Sequence, residues 1–193
     1  RVLASVFGPR PVPRKHESNL AELVVVIVAG TQRTVAHSHA EALVRNLFAE
    51  VLLLSQHPRT QIAITATLLN EQNPFEGYGQ EDELIRGEVL AALINCIMLA
   101  VVQAGLPLRT LVAAASVGLQ DLKSPSGSTE REDQVVVAID SSGERLLVHT
   151  PSSKPFTLSA LSDALAMAHQ IANKKLNFIR LTITSKVNYE SSR

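Results

Sequence analysis

The stretch Gly87–Leu108, GEVLAALINCIMLAVVQAGLPL, decides how this chain folds. Val89, Leu93, Cys96 and Ala100 recur at helical spacing, and apolar residues run nearly all the way round. A helix that is apolar on every side is buried on every side, so it predicts a central helix over 87–104. Gly105 supplies a helix stop and Pro107 enforces it. Asn95 and Gln103 interrupt the run from Leu90 to Ala104, which is also too short to cross a bilayer.

Strands and helices fall on both sides of that helix. Val2 to Phe7 reads as a strand ending at Gly8-Pro9, and Leu20 to Val28 as a second strand, apolar enough to be covered on both faces. Val35 to Leu54 has helical periodicity through Leu43, Leu47, Val51 and Leu54, and His57-Pro58 stops it. Gln61 to Leu69 alternates, with Ile62, Ile64, Ala66 and Leu68 on one side.

Asn70 to Arg86 is polar and reads as an insertion loop. Thr110 to Leu119 is a strand of small residues that lets another element approach closely, and Asp121 to Asp133 is a loop. Gln134–Asp140 and Arg145–Thr150 form a hairpin about Ser141-Ser142-Gly143. A last helix runs from Thr157 to about Ile179, with Leu158, Leu161, Leu165, Ala168, Ala172 and Ile179 as its seam. The order β, β, α, β, α, β, β, β, α predicts a single α/β domain over 1–193, a sandwich of two or three layers rather than a doubly wound nucleotide binder. A strand at the first residues lacks a preceding partner, so one or more N-terminal strands of the fold are expected to be missing.

Composition narrows the function. Eighteen Lys+Arg balance eighteen Asp+Glu, which excludes a surface that grips nucleic acid everywhere and leaves room for a local basic strip. Aromatic residues are 4% and Trp is absent, so stacking platforms for bases are not expected. One cysteine, Cys96, allows no disulfide within the chain and reads as a structural thiol. No leader is read at Arg1–Gly8, and the expectation is a soluble, intracellular protein with no membrane partner.

No chemistry-bearing motif stands out. Gly77-Tyr78-Gly79 lacks a third glycine and a feeding strand, and no nucleophile elbow is present. His37 and His39 lie two apart, diverge on a helix, and have no nearby Cys or carboxylate to complete a zinc set, so they read as solvated or capping histidines. No metal or cofactor is expected. Arg10, Arg14 and Lys15 cluster in a turn where they can reach a phosphate backbone.

Several stretches, in order, resemble the RNase PH-like subunits of the RNA exosome core. Val2–Pro9 looks like the strand and turn that follow the family's first hairpin, His57–Ile62 like its helix-to-strand turn, and Leu93–Arg109 like its central helix with the Gly stop and Pro. Val35–Asn46 is similar to the version in the eukaryotic non-catalytic ring subunits, the "forty-six" subunit above all.

The resemblance implies an RNase PH-like fold, shared with ribosomal S5 domain 2, built of β-α-β-type layers. It implies a place in a hexameric ring with other RNase PH-like subunits, under S1/KH cap proteins, around a channel that threads RNA for 3′–5′ processing and degradation. It further implies residence in nucleus, nucleolus and cytoplasm.

The resemblance also says where an active site belongs. Active members hold RNA and phosphate with arginines before the first long helix; Ala29–His37 supplies one, Arg33. They place a Gly and a small hydroxyl residue at the tip of the central helix, where the dipole attracts phosphate; here Gly87 precedes Glu88, a carboxylate. They carry two acidic residues about six apart before a strand; the matching positions are Ser124 and Glu130, so the first carboxylate is gone unless a shift of the loop brings in Asp121 or Asp133. With three departures together the expectation is a non-enzymatic subunit. Arg33, Arg45 and Arg59 are expected on the RNA path or in bridges within the fold, Arg59 equally as half of a buried ion pair. The alternative is an active phosphate-dependent 3′–5′ exoribonuclease.

Overall fold

A computed structural model describes residues 1–11, 19–29, 35–69, 85–119, 134–150 and 156–191, with side chains to 185. The insertion expected at 70–86 lies outside the described residues except for Ile85 and Arg86. So do the loop 121–133 with Ser124 and Glu130, the residues Arg14 and Lys15, and Arg33.

The first sheet has the order β1-β3-β2, from β1 (Val2–Pro11), β2 (Glu22–Val28) and β3 (Thr60–Leu68). β1 runs antiparallel to β3, and β2 parallel to it. Parallel pairing requires a crossover, and α1 (Val35–Val51) supplies it. β1 continues two pairs beyond the expected stop, because Arg10 and Pro11 regain the ladder opposite Gln61 and Thr60 after a register shift. β2 was expected to be covered on both faces and is covered on one. Leu23, Val25 and Ile27 are buried, Val24 and Val26 are half-buried, and Val28 is exposed.

β3 keeps the alternation read from its sequence, with Ile62, Ile64, Ala66 and Leu68 buried. α1 ends at Val51, short of Leu54. Its last turn is tied to the segment after the central helix: Leu53 N–H donates to Pro107 C=O and Arg109 N–H to Val51 C=O. A 3-10 turn at Leu54–Gln56 follows.

The central helix α2 (Gly87–Gln103) packs on β1 with one side and on the second sheet with the other. Leu90, Leu93, Ile94, Ile97, Met98 and Val101 are fully buried between the layers. Truncating any of them to alanine costs about 2–5 kcal/mol. Gly105 stops the helix at φ +68° with no side chain to strain.

The second sheet is antiparallel with the order β4-β5-β6, from β4 (Ala113–Gly118), β5 (Gln134–Ile139) and β6 (Arg145–His149). Its small residues serve the expected purpose. Ala114, Val136 and Ala138 face α2, while Ala115, Val135, Val137 and Ile139 face α3 (Leu158–Ser191). The layers are therefore sheet, helices, sheet, helix: the α/β sandwich that was expected, but with one layer more than the two or three read from the sequence, because α3 covers the outer face of the second sheet. α3 runs beyond the expected end at Ile179, and its seam is Ala164, Ala168, Ala172, Leu176 and Ile179. Leu158, placed in that seam by spacing, is 81% exposed because it occupies the first turn, before the helix reaches the sheet.

Candidate functional site

The N-terminal tip of α2 is the position where a phosphate is expected in active relatives, and the chain's own side chains fill it. The first N–H groups of a helix have no intrahelical acceptor and carry partial positive charge. Glu88 N–H donates to Gln134 Oε1 at 2.9 Å, and Gln134 Nε2 donates back to Glu88 Oε1 at 3.0 Å. Ser116 Oγ donates to the same Gln134 oxygen at 3.3 Å. The Glu88 carboxylate thus lies at the positive end of the helix and a neutral amide caps its N–H.

Gly87 makes this approach possible: a Cβ there would meet Gln134 Oε1 and Val136 Cγ2 at 2.9 Å. Beside the tip is a notch of about 160 Å³ lined by Arg1, Arg86 and Glu88. Arg86 Nε is buried in it with no hydrogen-bond partner among the described residues.

Tertiary hydrogen bonds hold this geometry. Asn95, two turns along α2, spans β4: its Nδ2 donates to Ala114 C=O and its Oδ1 accepts from Ala114 N–H, both at 2.8 Å. Lys175 of α3 donates to the same carbonyl at 3.2 Å, and burial lowers its ammonium pKa. α1 is anchored to the end of β2 from one face. His37, 1% exposed, contacts Ala29 C=O at 3.2 Å, and Glu41, one turn on, accepts from Ile27 N–H at 2.9 Å. His37 is therefore a buried tie, not a solvated or capping side chain. His39, two residues on, turns to the second sheet, where its ring lies 5.4 Å from that of His149 on β6. Burial first, and His39 second, hold His149 below the usual imidazole range.

Arg45 is exposed on α1, and Arg33 lies outside the described residues. Arg59 is exposed at φ +59° in the turn before β3, so it is not half of a buried pair. β2 and β3 run parallel, so Arg59 sits at their starting end and α1 begins at the other. Seven residues of strand put about 23 Å between them. The α2 tip belongs with the far end, since Leu68 lines its notch. Arg10, which the structure places on β1, bonds to Gln61 and covers the Phe7 ring; Arg14 and Lys15 lie outside the described residues.

Gln134, Ser116, Asn95 and His149 were not picked out from the sequence. Nothing local marks them, because their partners are 18 to 110 positions away. The Gly87-Glu88 pair was the one legible signal.

Residues 1–107 match the model of the 3′ exoribonuclease family, domain 1 (RNase PH). Among solved structures, the fold is similar to that of rice (Oryza sativa) Rrp46, at 20% identity, covering 94% of this chain and 82% of that one with a TM-score of 0.71. An archaeal exosome core subunit is similar at 12% identity, 93% and 76% coverage and a TM-score of 0.61. A chain of the Archaeoglobus fulgidus exosome with RNA bound to the active site follows at 12%, 90% and 75%, and 0.59. With the family model spanning more than half its length and the sheet-helix-sheet-helix stack matching these folds, this chain belongs to the 3′ exoribonuclease (RNase PH) family.

Proposed function

We propose that the chain is a non-catalytic structural subunit of an exosome-type hexameric ring. In this reading it packs against other RNase PH-like subunits beneath S1/KH cap proteins and helps line the path along which RNA is processed from its 3′ end. The observation that carries the reading is the occupied tip of α2. The Glu88 carboxylate stands where a phosphate dianion would sit, and Gln134 caps the Glu88 N–H. Stabilising a transferring phosphoryl group by preorganised positive charge is the main catalytic term in such reactions, and a carboxylate there opposes it.

Exposed apolar surface supports assembly. Arg1 C=O accepts from Leu69 N–H on the β3 side, whereas Val2 C=O accepts from Cys96 Sγ at 3.6 Å on the opposite side. The even-numbered backbone groups of β1 thus face a groove of about 460 Å³ floored by Cys96, Leu99 and Ala100. Leu3 and Phe7, both more than half exposed, add apolar surface that a neighbour would cover. Arg33, Arg45 and Arg59 are the residues we assign to RNA backbone contact. Residence in nucleus, nucleolus and cytoplasm belongs to the same proposal.

The test is enzymatic. The purified chain, and then the ring assembled with its co-purifying subunits, are incubated with RNA, inorganic phosphate and magnesium, and nucleoside diphosphates are measured. The chain alone is expected to release none. Release by the ring that disappears on Glu130→Ala or Asp133→Ala in this chain would establish the active exoribonuclease instead.

A further inference from the structure

We propose that His39 and His149 form an acid-sensitive latch, which holds the start of α1 on β6 while both rings are neutral and lets go when either takes a proton. The rings come from different layers of the fold and meet with centroids 5.4 Å apart and planes tilted by 54°. Both side chains are half-buried. His39 Nδ1 and His149 Nε2 are buried atoms, and neither has a hydrogen-bond partner among the described residues. Val136, the register partner of His149, is also the residue that a Cβ on Gly87 would strike. The latch therefore braces the strand pair against which the tip of α2 rests.

The two orphaned nitrogens make this contact depend on charge. A neutral imidazole keeps its one proton on the other nitrogen, His39 Nε2 or His149 Nδ1, and leaves the buried nitrogen as a bare lone pair. An imidazolium carries a proton on both nitrogens, so the buried one becomes a donor with no acceptor. The two buried nitrogens are not bonded to each other, so neither ring receives the other's new proton. The added charge is also held partly out of water against a second imidazole, which costs free energy unless a counter-charge is at hand.

Among the described residues, no carboxylate is bonded to either ring. His149 shares the face of Val136, which packs on α2 and not on α3. The charged groups of α2 are at its tip: Arg86, a further cation, and Glu88, whose carboxylate is held by Gln134. β5 carries none. On β6, Arg145 stands at the opposite end, beyond which Asp140 and Glu144 belong to the turn. On α1, Glu41 is taken by Ile27 N–H, His37 by Ala29 C=O, and Arg45 and Glu50 are exposed further along the helix. On β2, Glu22 at the far end accepts from Gln61. Burial and His39 together disfavour the charged form of His149 in the folded chain. The unfolded chain therefore takes this proton first, so the latch is intact above about pH 6.5 and fails as pH falls below it.

The experiment measures amide hydrogen exchange of β5 and β6 in the full chain at pH 7.5 and pH 5.5, corrected for the intrinsic exchange rate. The double variant His39→Phe/His149→Phe keeps two rings in the contact and removes both proton sites. Opening of the β6 pairing in the wild type is expected to rise as pH falls, by up to about tenfold for each histidine that stays neutral while latched and titrates freely once released. The double variant should lose this rise, and His57→Gln should keep it. If the double variant fails to fold, the wild-type ring protons decide by NMR: the His149 signal should titrate below the range of a free imidazole. A rise below about twofold, close to no linkage at all, would overturn the proposal. So would an equal rise in the double variant, or a His149 ring that titrates like a free imidazole; either would reduce the pair to an aromatic contact.

Discussion

Replacing Asn95 with alanine deletes two hydrogen bonds at one point between α2 and β4. Both bonds, at 2.8 Å, go to Ala114, whose residue is fully buried. Among the described residues β4 has a strand partner on one side only, and the Asn95 amide stands in for a peptide group on the other. Removing it leaves Ala114 C=O with Lys175 but leaves Ala114 N–H with nothing. One net bond of about 1 kcal/mol to the carbonyl, plus the penalty of about 1–3 kcal/mol for the orphaned N–H donor, gives a loss of about 2–4 kcal/mol.

For a chain of this length that lowers the melting temperature by about 4–16 °C. Asn95→Asp sharpens the argument. The carboxylate still accepts from Ala114 N–H but faces the Ala114 carbonyl with like partial charge. Its folded-state pKa is therefore raised, and the variant should be weakest at neutral pH and recover as pH falls and the proton supplies a donor. Urea titrations of wild type, Asn95→Ala and Asn95→Asp at pH 5 and pH 7.5 measure this. A loss below about 1 kcal/mol for alanine (within the ordinary surface-mutation range), or an aspartate variant insensitive to pH, would refute the role given to Asn95.

Further outcomes follow from single contacts. Gly87→Ala drives a methyl into Gln134 and Val136 and should cost about 1–3 kcal/mol, read by urea denaturation. Arg59→Gly relieves a positive φ and should raise stability by about 0.5–1 kcal/mol; if Arg59 also touches RNA, ring-bound RNA affinity falls at the same time, which filter binding at fixed salt would detect. Burial holds the Cys96 thiol above its ordinary pKa, against a smaller opposing hydrogen bond from Ala4. Less thiolate is present at any given pH, so alkylation should be slower than for a free cysteine and its pH–rate profile should move to higher pH.

What the sequence revealed and what it concealed divide along one physical line. Periodicities carried through wherever one element alone decides its buried face. The β3 alternation, the all-round apolar α2 and the Gly105 stop are of this kind. The readings that failed depend on what a neighbour does. β2 looked covered on both faces because its composition is uniform, yet the far face of its sheet is open. His37 looked solvated because nothing in sequence reveals that Ala29 C=O at the end of β2 waits for it. The candidate site was legible as a wrong charge at Glu88. That this charge is locked in place by Gln134 became visible only when β5 was laid against the helix. The acidic loop and Arg33 lie outside the described residues, and the expectations about them stand as proposals.

The backbone amide resonance of Glu88 gives the most direct reading of whether that helix tip can take an anion. Titrating the isotope-labelled chain with inorganic phosphate should leave the resonance where it is, because Gln134 already accepts from that N–H and the neighbouring carboxylate repels the ion. A saturable shift at sub-millimolar phosphate, accompanied by loss of the Gln134 contact, would contradict the account.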